Sequence, residues 1–232
     1  MKDLFGKALL DFQNGNYSED IMTSTNISDE DALPIPYLFR DYKDMPKLEQ
    51  KALKLSKGSI LDVGCGSGSH SLYLQKKGFK IKAIDISKGA IEVTKHRGVL
   101  KANVLNILDE TETFDTILLL MNGTGIFQEL TQVSKYLSHL KNLLNPNGQI
   151  LIDSSDIKYM YEDEDGGYWM DMNSSYYGEL DYFLSYKGEK EAPMKWLYLD
   201  FETLKLACET VGLKCELVLE GAHFDYLAQL SL

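Results

Sequence analysis

A chain of 232 residues with 44% hydrophobic content can build one sizeable core plus an appended lid or small subdomain. Its formal charge of -11 sets most of the surface against a phosphate backbone, so nucleic acid is not an expected partner. No long charge-free apolar run suits a membrane span, Met1-Lys2-Asp3 lacks a signal peptide's layout, and Cys65, Cys208 and Cys215 lack metal-ligand spacing. A cytoplasmic protein, monomeric or homodimeric, with no membrane association and no metal site is the expectation.

Residues 1 to 58 open with an amphipathic stretch near Asp3 to Phe12, then a polar segment from Asn14 to Asp31. The apolar, aromatic run Leu33 to Tyr42 is interrupted by Pro34 and Pro36, which favours an extended or turning path over a helix. Asp44 is placed to cap a helix with Met45, Leu48, Ala52 and Leu55 on one face, ended by Gly58.

Between 59 and 153 strand and helix patterns alternate, with strands expected near 59 to 63, 80 to 84, 98 to 102, 115 to 121 and 149 to 153. A helix is expected from Phe127 to Leu144 on the stripe Ile126, Leu130, Val133, Leu137, Leu140 and Leu144, stopped by Asn145-Pro146-Asn147-Gly148. Farther on, Leu180, Tyr182, Leu184 and Tyr186 alternate like a strand before a Lys187-Gly188 turn, and another strand covers Trp196 to Leu199. A helix beginning at Asp200 carries Phe201, Leu204, Cys208 and Val211 and is ended by Gly212. Two strands at 214 to 220 and 223 to 231 then form an antiparallel hairpin.

The chemistry concentrates in Ile60-Leu61-Asp62-Val63-Gly64-Cys65-Gly66-Ser67-Gly68-Ser69, a buried strand running into a glycine turn that opens a helix, so that backbone and helix N–H groups can approach a ligand. Ser69 stands where a dinucleotide fingerprint has its third glycine, which disfavours pyrophosphate. Asp85 closes the next apolar run about twenty residues on, suited to ribose hydroxyls or to capping the helix near Ser87.

Asp62-Val63-Gly64-Cys65-Gly66-Ser67-Gly68 resembles the first motif of the class I methyltransferases that use S-adenosylmethionine, over roughly residues 45 to 153 and 200 to 232. The resemblance implies an α/β fold: a seven-stranded, mostly parallel sheet with helices on both faces and a C-terminal antiparallel hairpin. Added to it are a helical N-terminal lid (1–58) and a β-containing cap inserted at about 154–199 of a 59–232 domain. It implies S-adenosylmethionine as cofactor and a small-molecule acceptor, with the rivals of a cofactor-binding module lacking transfer activity and a nicotinamide oxidoreductase.

By the same resemblance Asp62, Gly64, Cys65, Gly66 and Gly68 surround the methionine and ribose, Asp85 takes the ribose hydroxyls, and Ile86 packs on adenine. Asn103, beside Val104, reaches the adenine amino group, with Asn106 a possible substitute and a backbone turn at Asn103 the structural alternative. Asn122, in the glycine-containing turn after the fourth strand, is a further cofactor contact. For the acceptor, Tyr37 and Arg40 form one wall with Phe39 and Tyr42, and Trp169 another with Tyr168, Tyr176 and Tyr177. Asp153 and Asp156 are placed to hold the acceptor or take its proton, Asp156 alternatively capping a helix. Arg40 can pair with the cofactor carboxylate or an acidic substrate. The four histidines read as structural or solvated, and no residue is assigned as catalytic.

Overall fold

The computed structural model describes residues 2–162, 165 and 176–232. The N-terminal segment forms helix α1 (Leu4–Gln13), strands β1 (Ile21–Thr25) and β2 (Ser28–Leu33), and helices α2 (Ile35–Leu38) and α3 (Lys47–Leu55). There follow β3 (Ser59–Val63), α4 (Ser69–Lys76), β4 (Lys80–Asp85), α5 (Lys88–His96), β5 (Ala102–Val104), β6 (Phe114–Leu119), α6 (Val133–Asn142) and β7 (Leu144–Ser155). The chain ends with β8 (Glu179–Tyr186), β9 (Glu189–Lys190), β10 (Met194–Leu197), α7 (Phe201–Thr210), β11 (Lys214–Glu220) and β12 (Asp225–Ser231).

The central sheet has seven strands in the order β11-β12-β7-β6-β3-β4-β5. Pairs from β7 to β5 are parallel, whereas β12 runs antiparallel to both β7 and β11. Its middle strands are buried on both faces, so their apolar residues fall on consecutive positions, as in Ile60-Leu61 and Ile117-Leu118-Leu119, rather than alternating. Leu61, Ile117 and Ile150 pack under α6 and α7, while Ile60, Leu118 and Leu151 pack under α3 and α4.

A second, antiparallel sheet of five strands joins the N-terminal segment to the insertion, in the order β10-β8-β1-β2 with β9 on β8. Ile21, Leu184 and Tyr186 from it share a core with Leu4, Ala8 and Leu9 of α1, Ile35, Leu38 and the α5 residues Ala90 and Val93. Helix α1 crosses α5 at backbone contact, since a Cβ on Gly89 would lie 2.5 Å from the Gly6 carbonyl carbon.

Several local expectations change. The polar stretch after Asn14 contains β1 and β2; β2 is an edge strand whose Asp29, Glu30 and Asp31 are exposed, so no apolar alternation marks it. Leu33 to Tyr42 contains a one-turn helix, because Pro36 in a first turn lacks only an N–H that the turn does not use. Helix α3 starts after Pro46 with no side-chain cap, so Asp44 does not cap it. The expected helix from Phe127 to Leu144 is shorter: Gln128, at φ 70°, separates a 3-10 turn at Gly123–Phe127 from a second at Leu130–Gln132, and α6 begins only at Val133. The third central strand is Ala102–Val104 rather than 98 to 102.

Candidate functional site

The glycine turn after β3 is tied up from within. Gly64 N and Cys65 N both donate to Ile84 O, Gly66 N donates to Asp85 Oδ2 at 3.0 Å, and Gly68 N donates to Cys65 O. The turn therefore offers a ligand mainly its side-chain-free surface at Gly64 and Gly66 rather than those N–H groups. Gly66, at φ 52°, has only Phe5 Cζ of α1 near its missing Cβ, at 3.8 Å, whereas Gly68, at φ 81°, is pressed to 2.9 Å from Thr94 Cγ2. Cys65 turns inward against Thr94 and packs with Ala83 and Ile91, and burial pushes its thiol up. Asp62 is buried, accepts from Ser71 Oγ at 2.6 Å, and is raised by burial.

Asp85 joins two turns, accepting from Gly66 N and, at 2.8 Å, from Ser87 N. It does not cap α5; Ser87 does, accepting from Ala90 N at 3.0 Å. Burial raises the Asp85 carboxyl, with the two N–H donors acting against it. Along the carboxyl ends of β4, β5 and β6 an apolar margin stays open to solvent: Ile86 is 71% exposed, Val104 47% and Met121 38%. Asn103 is exposed within β5, paired opposite Ile84, and so does not form the turn considered for it. Asn106 is used as the cap of a 3-10 turn, accepting from Leu108 N.

The turn after β6 is a hydrogen-bonded knot. Met121 and Asn122 are consecutive non-glycine residues in the left-handed region, at φ 68° and 60°, which costs about 1–3 kcal/mol each and persists only where the surroundings hold it. Asn122 donates through Nδ2 to Leu197 O at 3.2 Å and accepts at Oδ1 from Ser154 Oγ at 3.0 Å. Asp153 accepts from Met121 N at 3.0 Å and Gly123 N at 2.9 Å, and burial pushes its carboxyl up to about 6. Trp196 of β10 packs against Gly125, whose Cβ would fall 2.2 Å from Trp196 Cε2, and Ile126 Cδ1 sits 3.3 Å from the Cβ position of Gly64. The second sheet and the glycine turn thus meet across one short loop.

Arg40 is not free for a ligand in the simple way its charge suggests. It pairs with Glu49 of α3, donates to Tyr37 O at 2.7 Å, and stacks 3.9 Å over the Tyr37 ring, leaving only a buried Nε without a partner. Glu49 also binds His70 Nε2 at 2.7 Å, and all three side chains are buried. Burial raises the Glu49 carboxyl, but His70 and Arg40 more than reverse it, leaving it below the usual range; burial lowers His70, but Glu49 and Asp62 leave it above its ordinary value. The carrier of this network, Glu49, escaped notice in the sequence. The signal was present: position 49 shares a helix face with Leu48, Ala52 and Leu53, where an acid needs a buried partner.

Other acceptor candidates are engaged structurally. Asp156 accepts from Lys158 N and Tyr177 Oη, both at 2.9 Å, and Tyr176 Oη donates to Asp200 at 2.6 Å. Tyr176 and Tyr177 therefore form a satellite cluster rather than an open wall, while Trp169 and Tyr168 lie outside the described residues. Tyr37 is 39% exposed. Also missed were Asp3, which accepts from Gly6 N, Ser87 Oγ and Gly89 N and so anchors α1 on α5, and Arg97, which donates to Ser67 O and both Ser67 and Ser69 hydroxyls. Among the described residues no helix is long and apolar enough to cross a membrane, and no group of three or more metal-binding side chains is assembled.

Residues 37–218 match the model of a methyltransferase domain family. The chain is 45% identical to an S-adenosylmethionine-dependent methyltransferase from Bacteroides fragilis solved with S-adenosyl-L-homocysteine, with a TM-score of 0.93 over 100% of this chain and 95% of that one. A methyltransferase from Clostridium acetobutylicum shares the fold at 17% identity and a TM-score of 0.59, covering 83% of this chain and 92% of that one. A ubiquinone biosynthesis O-methyltransferase from Rickettsia conorii is 30% identical over 116 residues, 47% of this chain and 38% of that protein. The chain thus spans about two fifths of the length of the curated relatives it matches. The seven-stranded sheet with its terminal hairpin, the family model and these likenesses agree: the chain belongs to the S-adenosylmethionine-dependent methyltransferase family.

Proposed function

We propose that the chain transfers the methyl group of S-adenosylmethionine to a small-molecule acceptor held between the carboxyl edge of the central sheet and the five-stranded sheet. The observation that carries this reading is the packing of Trp196 on Gly125, which brings a wall of the second sheet to the same loop that reaches the glycine turn through Ile126. The residues present fit the cofactor. Gly64 and Gly66 leave a cradle that a side chain would fill, Asp85 stands beside it, and Ile86 and Val104 give adenine an apolar bed, with Asn103 at its rim. The unpartnered Nε of Arg40 supplies a donor suited to a carboxylate.

When bound, the cofactor supplies an electrophilic methyl group, so this chain's own work is to orient the acceptor and exclude water. Residues 1–58 contribute α1, with Phe5 over Gly66, and the β1–β2 pair to that cover; the insertion contributes β8 to β10. Tyr182 and Trp196, with ring centroids 5.5 Å apart, and Tyr198 close to both are the aromatic side chains that suit an acceptor wall, and burial pushes the Tyr198 phenol up to about 12, so it stays a neutral hydrogen-bond donor near neutral pH. The net charge of -11 favours an acceptor other than nucleic acid, and a cytoplasmic setting suits three free thiols.

Incubation of the protein with metabolite pools and labelled methyl donor is expected to label one class of small molecule. Binding of S-adenosylhomocysteine without any labelled product would leave a binding module, and tighter binding of NAD than of S-adenosylmethionine would overturn the cofactor roles given above. Asp85→Ala removes the acceptor for Gly66 N and Ser87 N as well as the ribose contact. Cofactor affinity is expected to fall at least about tenfold, since hydrogen bonds to a charged group contribute about 1.5–3 kcal/mol. Calorimetry with 2′- and 3′-deoxy analogues checks the ribose part; an unchanged ranking of analogues in the variant would remove it.

A further inference from the structure

Asp153 was expected among the groups that touch the acceptor, but its geometry assigns it other work. Both carboxylate oxygens accept from backbone, Oδ2 from Met121 N at 3.0 Å and Oδ1 from Gly123 N at 2.9 Å, and the residue is only 8% exposed. Those two donors flank Asn122, so the carboxylate bridges a turn whose first two residues, at φ 68° and 60°, adopt a course that Met in particular avoids. The next residue, Ser154, completes the attachment by donating to Asn122 Oδ1 and accepting from Leu199 N at 2.9 Å. Asn122 and Thr124 in turn donate to Leu197 O. One end of β7 therefore holds both the loop at the cofactor edge and the strand that carries Trp196.

We propose that Asp153 is a positioning residue: it holds the Met121–Gly123 turn in its left-handed course and so fixes the wall shared by the cofactor and acceptor chambers, an inference that rests on the methyl-transfer reading above. Its charge is what makes two backbone donors converge, because an ionised carboxylate accepts at both oxygens whereas a neutral acid or amide must present a donor at one of them. The groups facing it are Glu49 from α3, which raises its carboxyl, His70 from α4, which lowers it, and Tyr37 and Tyr198 from α2 and the segment after β10. Burial outweighs the two N–H donors and places its protonation about 6, so the clamp is charged near pH 7 and is lost as the pH falls through that value.

Asp153→Asn tests the proposal. Near pH 7 the variant is expected to bind S-adenosylhomocysteine at least about tenfold more weakly in calorimetry, the loss of one charge-assisted bond. Hydrogen exchange at the Met121 and Gly123 amides is expected to speed up, with the amides of β3 unchanged. In the wild type the same affinity should weaken as the pH is lowered from about 7 to about 5, and the variant should lack that step. Should the variant not fold, the amide proton resonances of Met121 and Gly123 in the wild-type chain decide, since they are expected to move together with a midpoint near 6. Wild-type affinity and exchange in the variant, or wild-type amides that stay still across that range, would overturn the proposal. A wild-type chain that shows the amide titration but binds no S-adenosylhomocysteine supports the clamp and removes the methyl-transfer reading instead.

Discussion

Glu49→Ala is expected to lower stability by about 3–5 kcal/mol, the range for removing one partner of a buried ion pair, because it leaves the buried Arg40 guanidinium without its carboxylate and His70 without its hydrogen-bond partner. Arg40 and His70 are each 8% exposed and both bind this carboxylate, so neither can turn to water without opening the contact between α2, α3 and α4. For a chain of this length such a loss lowers the melting temperature by roughly 6–20 °C. Urea unfolding of wild type and variant gives the measurement; a difference below about 1 kcal/mol would show the triad to be a solvated cluster. The pH dependence supplies a second sign. Glu49 holds the folded-state value of His70 above 6.5, so this contribution is fully present below about 6.5 and is lost as the pH rises through the raised value. The variant's stability should lack that decline.

The parts of this fold that could be read from sequence are those in which one physical requirement dominates. Strands β3, β4 and β6 are buried on both faces, and their apolar residues, though interrupted by Asp62, Lys82 and Asp115-Thr116, place them within a residue or two. The terminal hairpin is marked by apolar runs on either side of a short turn, and β8 by strict alternation ending at Lys187-Gly188, both of which adopt positive φ as that turn requires. Strands β1 and β2 carry no such mark. Only Ile21 of β1 is fully buried, and β2 is solvated along an edge, so β1 is placed by its pairing with β8 about 160 residues away and β2 by its pairing with β1. Long-range pairing of this kind leaves no local signal.

The site divides along the same line. That Asp85 and the glycine turn lie together was legible, because a glycine turn and an acid about twenty residues later are local patterns, and the structure joins them through Gly66 N and Asp85 Oδ2. The roles of Asp153, Asp156 and Arg40 were not, because each depends on which buried donor or acid the fold brings opposite: Met121 and Gly123 for Asp153, Tyr177 for Asp156, Glu49 for Arg40. A polar residue at a strand end is equally suited to a ligand and to its own chain. Bonds already made have to be weighed with exposure: Asp85 and Asp153 each accept from two backbone N–H groups, but Asp153 is buried whereas Asp85 keeps part of its surface open.

That distinction also sorts the glycines of the turn, and it predicts opposite outcomes for two substitutions that look alike in sequence. Gly68→Val pushes a side chain to 2.9 Å from Thr94 within a buried helix start at φ 81°, so the variant is expected to be strongly destabilised whatever ligand is added. Gly66→Val meets only Phe5 Cζ at 3.8 Å, an ordinary contact, and its strain at φ 52° costs about 1–2 kcal/mol. The chain should therefore fold with a modest loss of melting temperature. Its two methyl groups are added beside the turn, where the proposed function has the cofactor approach, and affinity for S-adenosylhomocysteine is expected to fall about 100-fold or more, equivalent to about 3 kcal/mol. Calorimetry together with thermal unfolding reads both quantities on each variant. If Gly66→Val binds as the wild type does, the turn is structural only and the cofactor must lie elsewhere along the sheet edge. If it unfolds as readily as Gly68→Val, then Phe5 and α1 press more closely on the turn than an open cradle allows.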